Sequence, residues 1–528
     1  LQVLAGPGSG KTRVITRRIA RLIQRGVEER SVLAITFTNR AAREMQERVE
    51  KLLPGTRVWI TTFHRFCANV LRRRARLVGL ESNFTILDSD DQRQAVKRVL
   101  EDLDYSQAHA TPAKIRGRIS QLKNKMISAE DFRDSIEDDL GEPFDQLVAQ
   151  VYPRYQELLR ESNAVDFDDL LLHVVKLFLD NPELRADYDE QFRFLLVDEY
   201  QDTNSAQYQI VRALATNVPN VCVTGDPDQS IYGWRGADIQ NILSFERDFP
   251  GTRVIRLEAN FRSTGLILRA ADRLIGHNRM RKAKVLFTDD VDGEPVRLLK
   301  FKDDAAEADG IVDQVRELHQ QHGIKWSDVA VFYRVNSLSR QLELAFRKQR
   351  VPSQVSAGLS FFERAEVKDL LAYLRVIENP ADQMAFRRVV NKPPRGLGAK
   401  TINKLQNWAV DSRVSLMEAA RSADSIESIP WATRAKLKSF VRMIDGFDLA
   451  KFGSLESLLE AVVEKTALHL TWANVDASLA SDKRANVNEL IAAAASYDAA
   501  HKDEDRDDNR DDNRDDASNQ RRHSITGF

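Results

Sequence analysis

Cysteine is nearly absent from this 528-residue chain: Cys67 and Cys222 are far apart, and each stands inside an apolar run. Two distant thiols supply neither a disulfide framework nor a zinc-ligand set, and they read as small buried hydrophobes. Long apolar runs are missing too, with no uninterrupted stretch of about 18 residues that could span a bilayer. The chain opens on the strand-like Leu1-Gln2-Val3-Leu4 without a signal peptide, so the expectation is a soluble, cytoplasmic protein with no membrane partner. Net charge is also lacking, because 78 Lys and Arg offset 79 Asp and Glu to leave −1. The whole-chain balance therefore gives no sign of a polyanionic partner. Any nucleic-acid surface has to be a local basic stripe offset by acidic faces elsewhere.

What is present is ample apolar material, 42% of the residues spread along the whole chain, enough for three or four domains. Val32 to Phe37, Val58 to Thr61, Phe194 to Val197, Val221 to Thr224 and Val254 to Leu257 each read as a buried parallel strand alternating with helical stretches, the pattern of a doubly wound α/β fold. Between Leu80 and Arg193 the pattern changes to long charged helices, as in Asp90 to Leu103 and Tyr152 to Glu161. A second set of strands is expected at Pro295 to Phe301 and Asp328 to Arg334, followed by a helical stretch from Glu363 to about Ala500. The repeat between Asp503 and Asp516, Arg-Asp-Asp-Asn twice over, has no apolar residue to order it and reads as a solvated acidic linker.

Ala5-Gly6-Pro7-Gly8-Ser9-Gly10-Lys11-Thr12 follows a strand and precedes a helix beginning near Arg13, the context a phosphate-binding loop requires. Its glycines let backbone N–H groups turn inward at a helix N-terminus, where the dipole favours anions. Ala5 stands where the pattern has its first glycine. In such a loop Lys11 reaches the β and γ phosphates and the Thr12 hydroxyl holds magnesium. Phe194-Leu195-Leu196-Val197-Asp198-Glu199 delivers two carboxylates at the end of an apolar strand, where open parallel sheets bind ligands. Asp198 is suited to ligate magnesium through water and Glu199 to orient and deprotonate the attacking water.

With these two motifs in place, the chain resembles the superfamily 1 DNA helicases of the UvrD/Rep/PcrA family. The resemblance is carried by Leu196-Val197-Asp198-Glu199-Tyr200-Gln201-Asp202-Thr203-Asn204 and by Val223 to Ala237, which reads VTGDPDQSIYGWRGA. Further ordered matches are Thr36 to Ala42, Thr61 to Cys67, Asn260 to Thr264, Tyr333 to Asn336 and Phe361 to Arg364. It implies two RecA-like P-loop domains, the second incomplete, each with a mostly helical insertion. The boundaries are 1–80 and 190–261 for the first, 81–189 for its insertion, 262–355 for the second and 356–528 for its insertion. It implies an ATP- and magnesium-dependent 3′ to 5′ helicase acting on single-stranded DNA and its junctions with duplex, in repair or replication restart, with repair or replication proteins as partners.

By the same resemblance Gln229 contacts the γ phosphate while Tyr232, Trp234 and Arg235 touch DNA, Arg262 is an arginine finger, and Phe261 stacks on adenine where family members usually carry tyrosine. Thr62, Phe63, His64, Arg334 and Asn336 match positions lining the single strand. His64 reads equally as a satisfied loop histidine, Arg262 as a surface salt bridge, and Trp234, less well given its flanking Gly233, Arg235 and Gly236, as a core residue. Asn391 to Gly398 resembles a duplex-facing turn, or else is an ordinary Pro/Gly loop. The family's adenine-reading glutamine segment and its two closing motifs have no counterpart here, so the expectation is a chain truncated at both ends and impaired in catalysis. A DNA-bound regulator that displaces proteins, or the motor of a helicase–nuclease, are the competing functions.

Overall fold

The computed structural model describes residues 1–105, 110–138, 142–282, 284–335, 338–355, 361–447, 449–468 and 477–501; the acidic repeat and Asn336 lie outside them. Eight strands form: β1 (Gln2–Ala5), β2 (Val32–Thr36), β3 (Trp59–Thr62), β4 (Thr85–Ile86), β5 (Ala164–Val165), β6 (Phe194–Val197), β7 (Val221–Gly225) and β8 (Val254–Leu257). Six of them make one all-parallel sheet in the order β3-β2-β6-β7-β1-β8. The register brings their carboxyl ends level: Thr36 lies beside Thr62, Ile35 beside Val197, Val197 beside Val223, Leu4 beside Gly225 and Ala5 beside Leu257. Every motif that follows these strands therefore opens on one edge of the sheet.

The central strands of the sheet are buried on both faces, as continuous apolar strands demand, whereas the edge strand β8, expected to be buried, leaves Ile255 and Arg256 exposed. Alternate residues divide between two cores. Leu33, Ile35, Leu195, Val197 and Val223 pack on one face against α3 (Phe63–Arg74) and the helices Phe167–Asp180 and Ser205–Ala213. Val32, Ala34, Leu196 and Cys222 face α1 (Lys11–Gln24) and α2 (Asn39–Leu52) through Ile15, Ile19, Met45 and Val49. Both cysteines are free and buried, in keeping with their reading as core residues.

The helices Ser89–Asp102, Pro112–Asn124, Ala129–Asp138 and Pro143–Glu161 enclose a core of their own, joined to the sheet domain through the short parallel pair β4 and β5. The helix Phe167–Asp180 differs from expectation. Leu170, Leu171, Val174 and Phe178 lie in the sheet's core, so this helix, expected within the insertion, packs with the sheet. The late helices from Ala365 onward form a separate core that reaches to Ala494.

No strand occurs among the described residues after Leu257, a correction to the strands expected at 295–301 and 328–334. A strand exists only through hydrogen bonds to a neighbouring strand, and among the described residues these segments pair with none: Leu298 is 97% and Phe332 93% exposed. The helices Asp304–His322 and Ser339–Lys348 of the same region do form and share a small core with Trp326, Val329 and Val351.

Lys123 locks the insertion to the sheet domain. Fully buried, its ammonium lies 2.7 Å from Asp166 and 2.7 Å from Asp169, the two ends of the capping box that opens the helix Phe167–Asp180. Tyr155 donates to Asp166 as well, at 3.0 Å. Burial alone would lower the lysine's pKa, but the two carboxylates raise it, so it stays charged. Lys123→Ala strands two buried carboxylates and is expected to destabilise the protein by about 3–5 kcal/mol, read as a lower denaturant midpoint for the sheet domain. An unchanged midpoint would show the pair to be solvated.

Candidate nucleotide and nucleic-acid site

The phosphate loop joins β1 to α1, whose first residue is Lys11. Gly8 and Gly10 both take left-handed backbone, at φ 69° and 94°. The Ser9 hydroxyl donates to the Gly6 carbonyl at 2.7 Å and fixes the turn. Gly8 is required for a second reason: a Cβ there would lie 2.6 Å from the Asn260 amide nitrogen and 2.7 Å from the Arg262 Cβ. The segment after β8 is seated on the loop, with Asn260 Nδ2 donating to the Pro7 carbonyl at 2.6 Å and the Phe261 N–H to the Gly8 carbonyl at 3.0 Å. Asn260 Oδ1 accepts the N–H groups of Arg262 and Ser263 at 2.9 and 2.8 Å. Phe261, at 80% exposed, is left with an open ring face. Arg262 and Arg13 are exposed. No ion pair among the described residues engages Arg262, so the salt-bridge reading has no partner here.

Beyond β6, Asp198 is buried. The Thr224 hydroxyl and the Glu199 N–H, the latter at 3.0 Å, both donate to its Oδ1. Burial raises its pKa, partly offset by the Thr224 bond, while the Glu199 charge adds to the rise and Lys11 opposes it. Glu199 itself stands at φ 51°, a left-handed conformation costly for a side chain with a Cβ and concentrated at working sites. Its Oε2 lies 3.4 Å from the Lys11 ammonium and accepts from Gln201 Nε2 at 2.9 Å. Asp202, pressed by burial and by the Glu199 charge, is pushed up to about 7.

The sequence reading assigns no role to Gln201, Asp226, Asn260 or Lys284, yet these residues tie the site together. Gln201 Oε1 accepts the Asp226 N–H at 3.0 Å, so one buried amide joins the segment after β6 to the segment after β7. Asp226 Oδ2 accepts from Gln229 Nε2 at 2.7 Å, and Lys284 pairs with Asp226 and, at 2.9 Å, with Asp228. For Gln201, Asp226 and Asn260 a polar, low-periodicity setting inside the motifs was the sequence signal, and Lys284 lies outside every motif. Magnesium fits the oxygens that remain: among the described residues no group donates to Asp198 Oδ2 or bonds the Thr12 hydroxyl, and one carboxylate with a hydroxyl suits a hard cation that also takes phosphate oxygens.

Tyr232 caps the 3-10 turn Gly233–Arg235 that carries Trp234 and Arg235, and none of the turn's residues is buried. Trp234 is 61% exposed, against a core role. The Arg235 guanidinium lies 4.6 Å from its ring centroid, and the Tyr232 ring is 6.4 Å away. Arg334 is exposed. Phe63 is a correction. It packs at 1% exposure against Phe37, because Phe63, Phe66, Cys67, Val70 and Leu71 are the buried stripe of α3. Thr62 is also buried and caps that helix, accepting the Arg65 N–H at 3.3 Å. His64 is half-buried against Phe167, its pKa lowered by burial and held up in part by Asp168. In the turn Asn391 to Gly398, Arg395 bonds inward to the carbonyls of Val389 and Lys392 at 3.0 and 2.9 Å and to the Tyr373 hydroxyl at 2.8 Å. Its guanidinium thus holds the loop together instead of facing solvent.

Comparison with known proteins bears on the whole of this arrangement. Residues 1–250 match the UvrD/REP helicase N-terminal domain and residues 255–509 the UvrD-like helicase C-terminal domain. The chain is 40% identical over 501 residues to the ATP-dependent DNA helicase PcrA of Staphylococcus aureus (strain Mu50), covering 94% of this chain and 68% of that protein. It is 40% identical over 508 residues to PcrA of Bacillus subtilis (strain 168), covering 96% and 68%. With PcrA of Staphylococcus epidermidis the identity is 42% over 470 residues, 88% of this chain and 64% of the relative.

Proposed function

The chain belongs to the UvrD/Rep helicase family, and from that premise we propose that it is an ATP-dependent DNA helicase that tracks 3′ to 5′ along single-stranded DNA in repair or replication. One observation carries the reading to this chain's residues. The segment following β7 holds Gln229 at one end, bound to Asp226 beside the carboxylates of β6, and the open Tyr232, Trp234 and Arg235 platform a few residues on. A change at the γ phosphate and a change in the grip on a base are thus changes in one short stretch of backbone.

In this reading Lys11 and the loop N–H groups bind the phosphates, and Thr12 and Asp198 hold magnesium, which neutralises phosphate charge when bound. Glu199, its Oε2 engaged by Lys11 and Gln201, keeps Oε1 for the attacking water and takes its proton. Phe261 stacks on the base of ATP, and Arg262, carried on the Asn260 segment, meets the charge developing on the transferred phosphoryl group. Arg13, Arg334, His64 and Asn336 complete the nucleotide and DNA contacts that the family pattern suggests.

Trp234→Ala is the direct test of the DNA side. A single base stack is worth about 1–3 kcal/mol and is indifferent to sequence, so affinity for oligo-dT and oligo-dA should fall by similar factors in a fluorescence titration. Duplex unwinding should fall with them. Unchanged binding, or a loss confined to one base, would remove Trp234 from the DNA track.

A further inference from the structure

The platform turn has little of its own to hold it in place. None of Gly233, Trp234 and Arg235 is buried, and inside the turn the bonds are local, from Arg235 and Ala237 to the Tyr232 carbonyl and from Gly236 to that of Gly233. Contacts on its C-terminal side seat it on the body of the protein. Asp238 N–H donates to the Thr203 carbonyl at 2.9 Å. Gly236, at φ 86°, lies so close to the helix Pro112–Asn124 that a Cβ on it would be 2.7 Å from the Asn124 Cβ.

Asn124 is the last residue of that helix and belongs to the helical insertion, yet it is buried against the sheet domain. Its Oδ1 accepts from Asn204 Nδ2 at 2.5 Å. Its own amide donates to the Ser120 carbonyl at 2.7 Å and hydroxyl at 3.3 Å, and to Asp168 Oδ1 at 3.2 Å. Asn204 in turn caps the helix Ser205–Ala213 with a complete capping box, in the stretch that begins with Asp198 and Glu199. The neighbouring Lys123, pinned by two buried carboxylates, leaves Asn124 no freedom to drift.

We propose that Asn124 is a positioning residue for DNA-stimulated ATP hydrolysis: one side chain of the insertion serves as the abutment for both the Trp234 platform and the Asn204 end of the carboxylate segment. The inference rests on the reading of Trp234 as a DNA contact. It gives the insertion a part in coupling, since a nucleotide-driven shift of residues 198–204 reaches the platform through Asn124 as well as along the chain.

The test compares W234A, N124A, N124A/W234A and N124D in the full chain. Affinity for a labelled oligo-dT is measured by anisotropy, and ATP turnover is measured with and without that strand. If Asn124 acts through the platform, N124A weakens binding about fivefold or more, within the worth of one stacked base, and the double variant binds no more weakly than W234A. The factor by which DNA stimulates turnover falls with it. N124D sets a carboxylate against both Asp168 and the Ser120 carbonyl, so N124D is impaired as well. A purely structural asparagine would lower turnover by the same factor with and without DNA, and its loss would multiply with that of W234A. Either result overturns the inference. If W234A itself leaves binding unchanged, the DNA platform and the inference fall together. If W234A weakens binding and N124A does not, the inference falls alone.

Discussion

Glu199→Gln should lower DNA-stimulated ATP hydrolysis by about 10²- to 10⁴-fold, the usual worth of a positioned general base, while nucleotide affinity stays close to that of the unaltered protein. Glutamine keeps the volume and the left-handed backbone at φ 51° unchanged in kind. Its carbonyl oxygen can still take the Gln201 amide and face Lys11, the two groups now on Oε2. The buried Asp198 and its Thr224 bond are untouched, so the groups proposed to bind phosphate and magnesium survive. Titration with a fluorescent nucleotide, set beside single-turnover hydrolysis, separates binding from chemistry. If affinity collapses together with turnover, Glu199 is holding the nucleotide and the water is activated elsewhere.

The sheet was legible in the sequence because its central strands are buried on both faces. Val32 to Ile35 and Phe194 to Val197 are apolar without interruption, so composition over a few residues identifies the strand wherever its partners lie. The phosphate loop and the Asp198-Glu199 pair were legible for a related reason, since backbone turn and chemistry are written in adjacent residues. Partnership is what a run of residues does not contain. Pro295 to Phe301 has the composition of a strand and, among the described residues, no neighbouring strand to bond, while Phe167–Asp180, polar at its start like the insertion helices, closes the sheet's core instead. Phe63 was misread although its signal was present. The spacing of Phe63, Phe66, Cys67, Val70 and Leu71 is a helix's buried stripe, and position within a family motif outweighed it. Gln201 and Asn124 were invisible for the opposite reason, because their importance lies in contacts with Asp226, Asn204 and Gly236, up to 112 residues away by the numbering of Asn124 and Gly236.

Arg262→Ala should cost about 10³-fold or more in turnover, the range found for arginine fingers, with ATP and single-strand affinity much less affected. The Asn260 amide bonds Pro7 and its carbonyl oxygen takes the N–H groups of Arg262 and Ser263. The backbone that carries the guanidinium is thus fixed to the phosphate loop by Asn260, and these bonds are independent of the arginine side chain. The side chain is exposed and makes no ion pair among the described residues. Its charge is therefore not spent on a structural partner, and its removal leaves no buried carboxylate behind. Arg262→Lys should recover little, since an ammonium lacks the planar fork that spans two equatorial oxygens. Asn260→Ala should mimic the defect in part, because the guanidinium keeps its chemistry and loses its mounting. Steady-state kinetics with saturating oligo-dT decide it: a fall in kcat with KM held marks a group acting on the transition state. Should Arg262→Ala instead raise KM and spare kcat, the arginine is a ground-state phosphate ligand, and the charge on the transferred group is met by another residue.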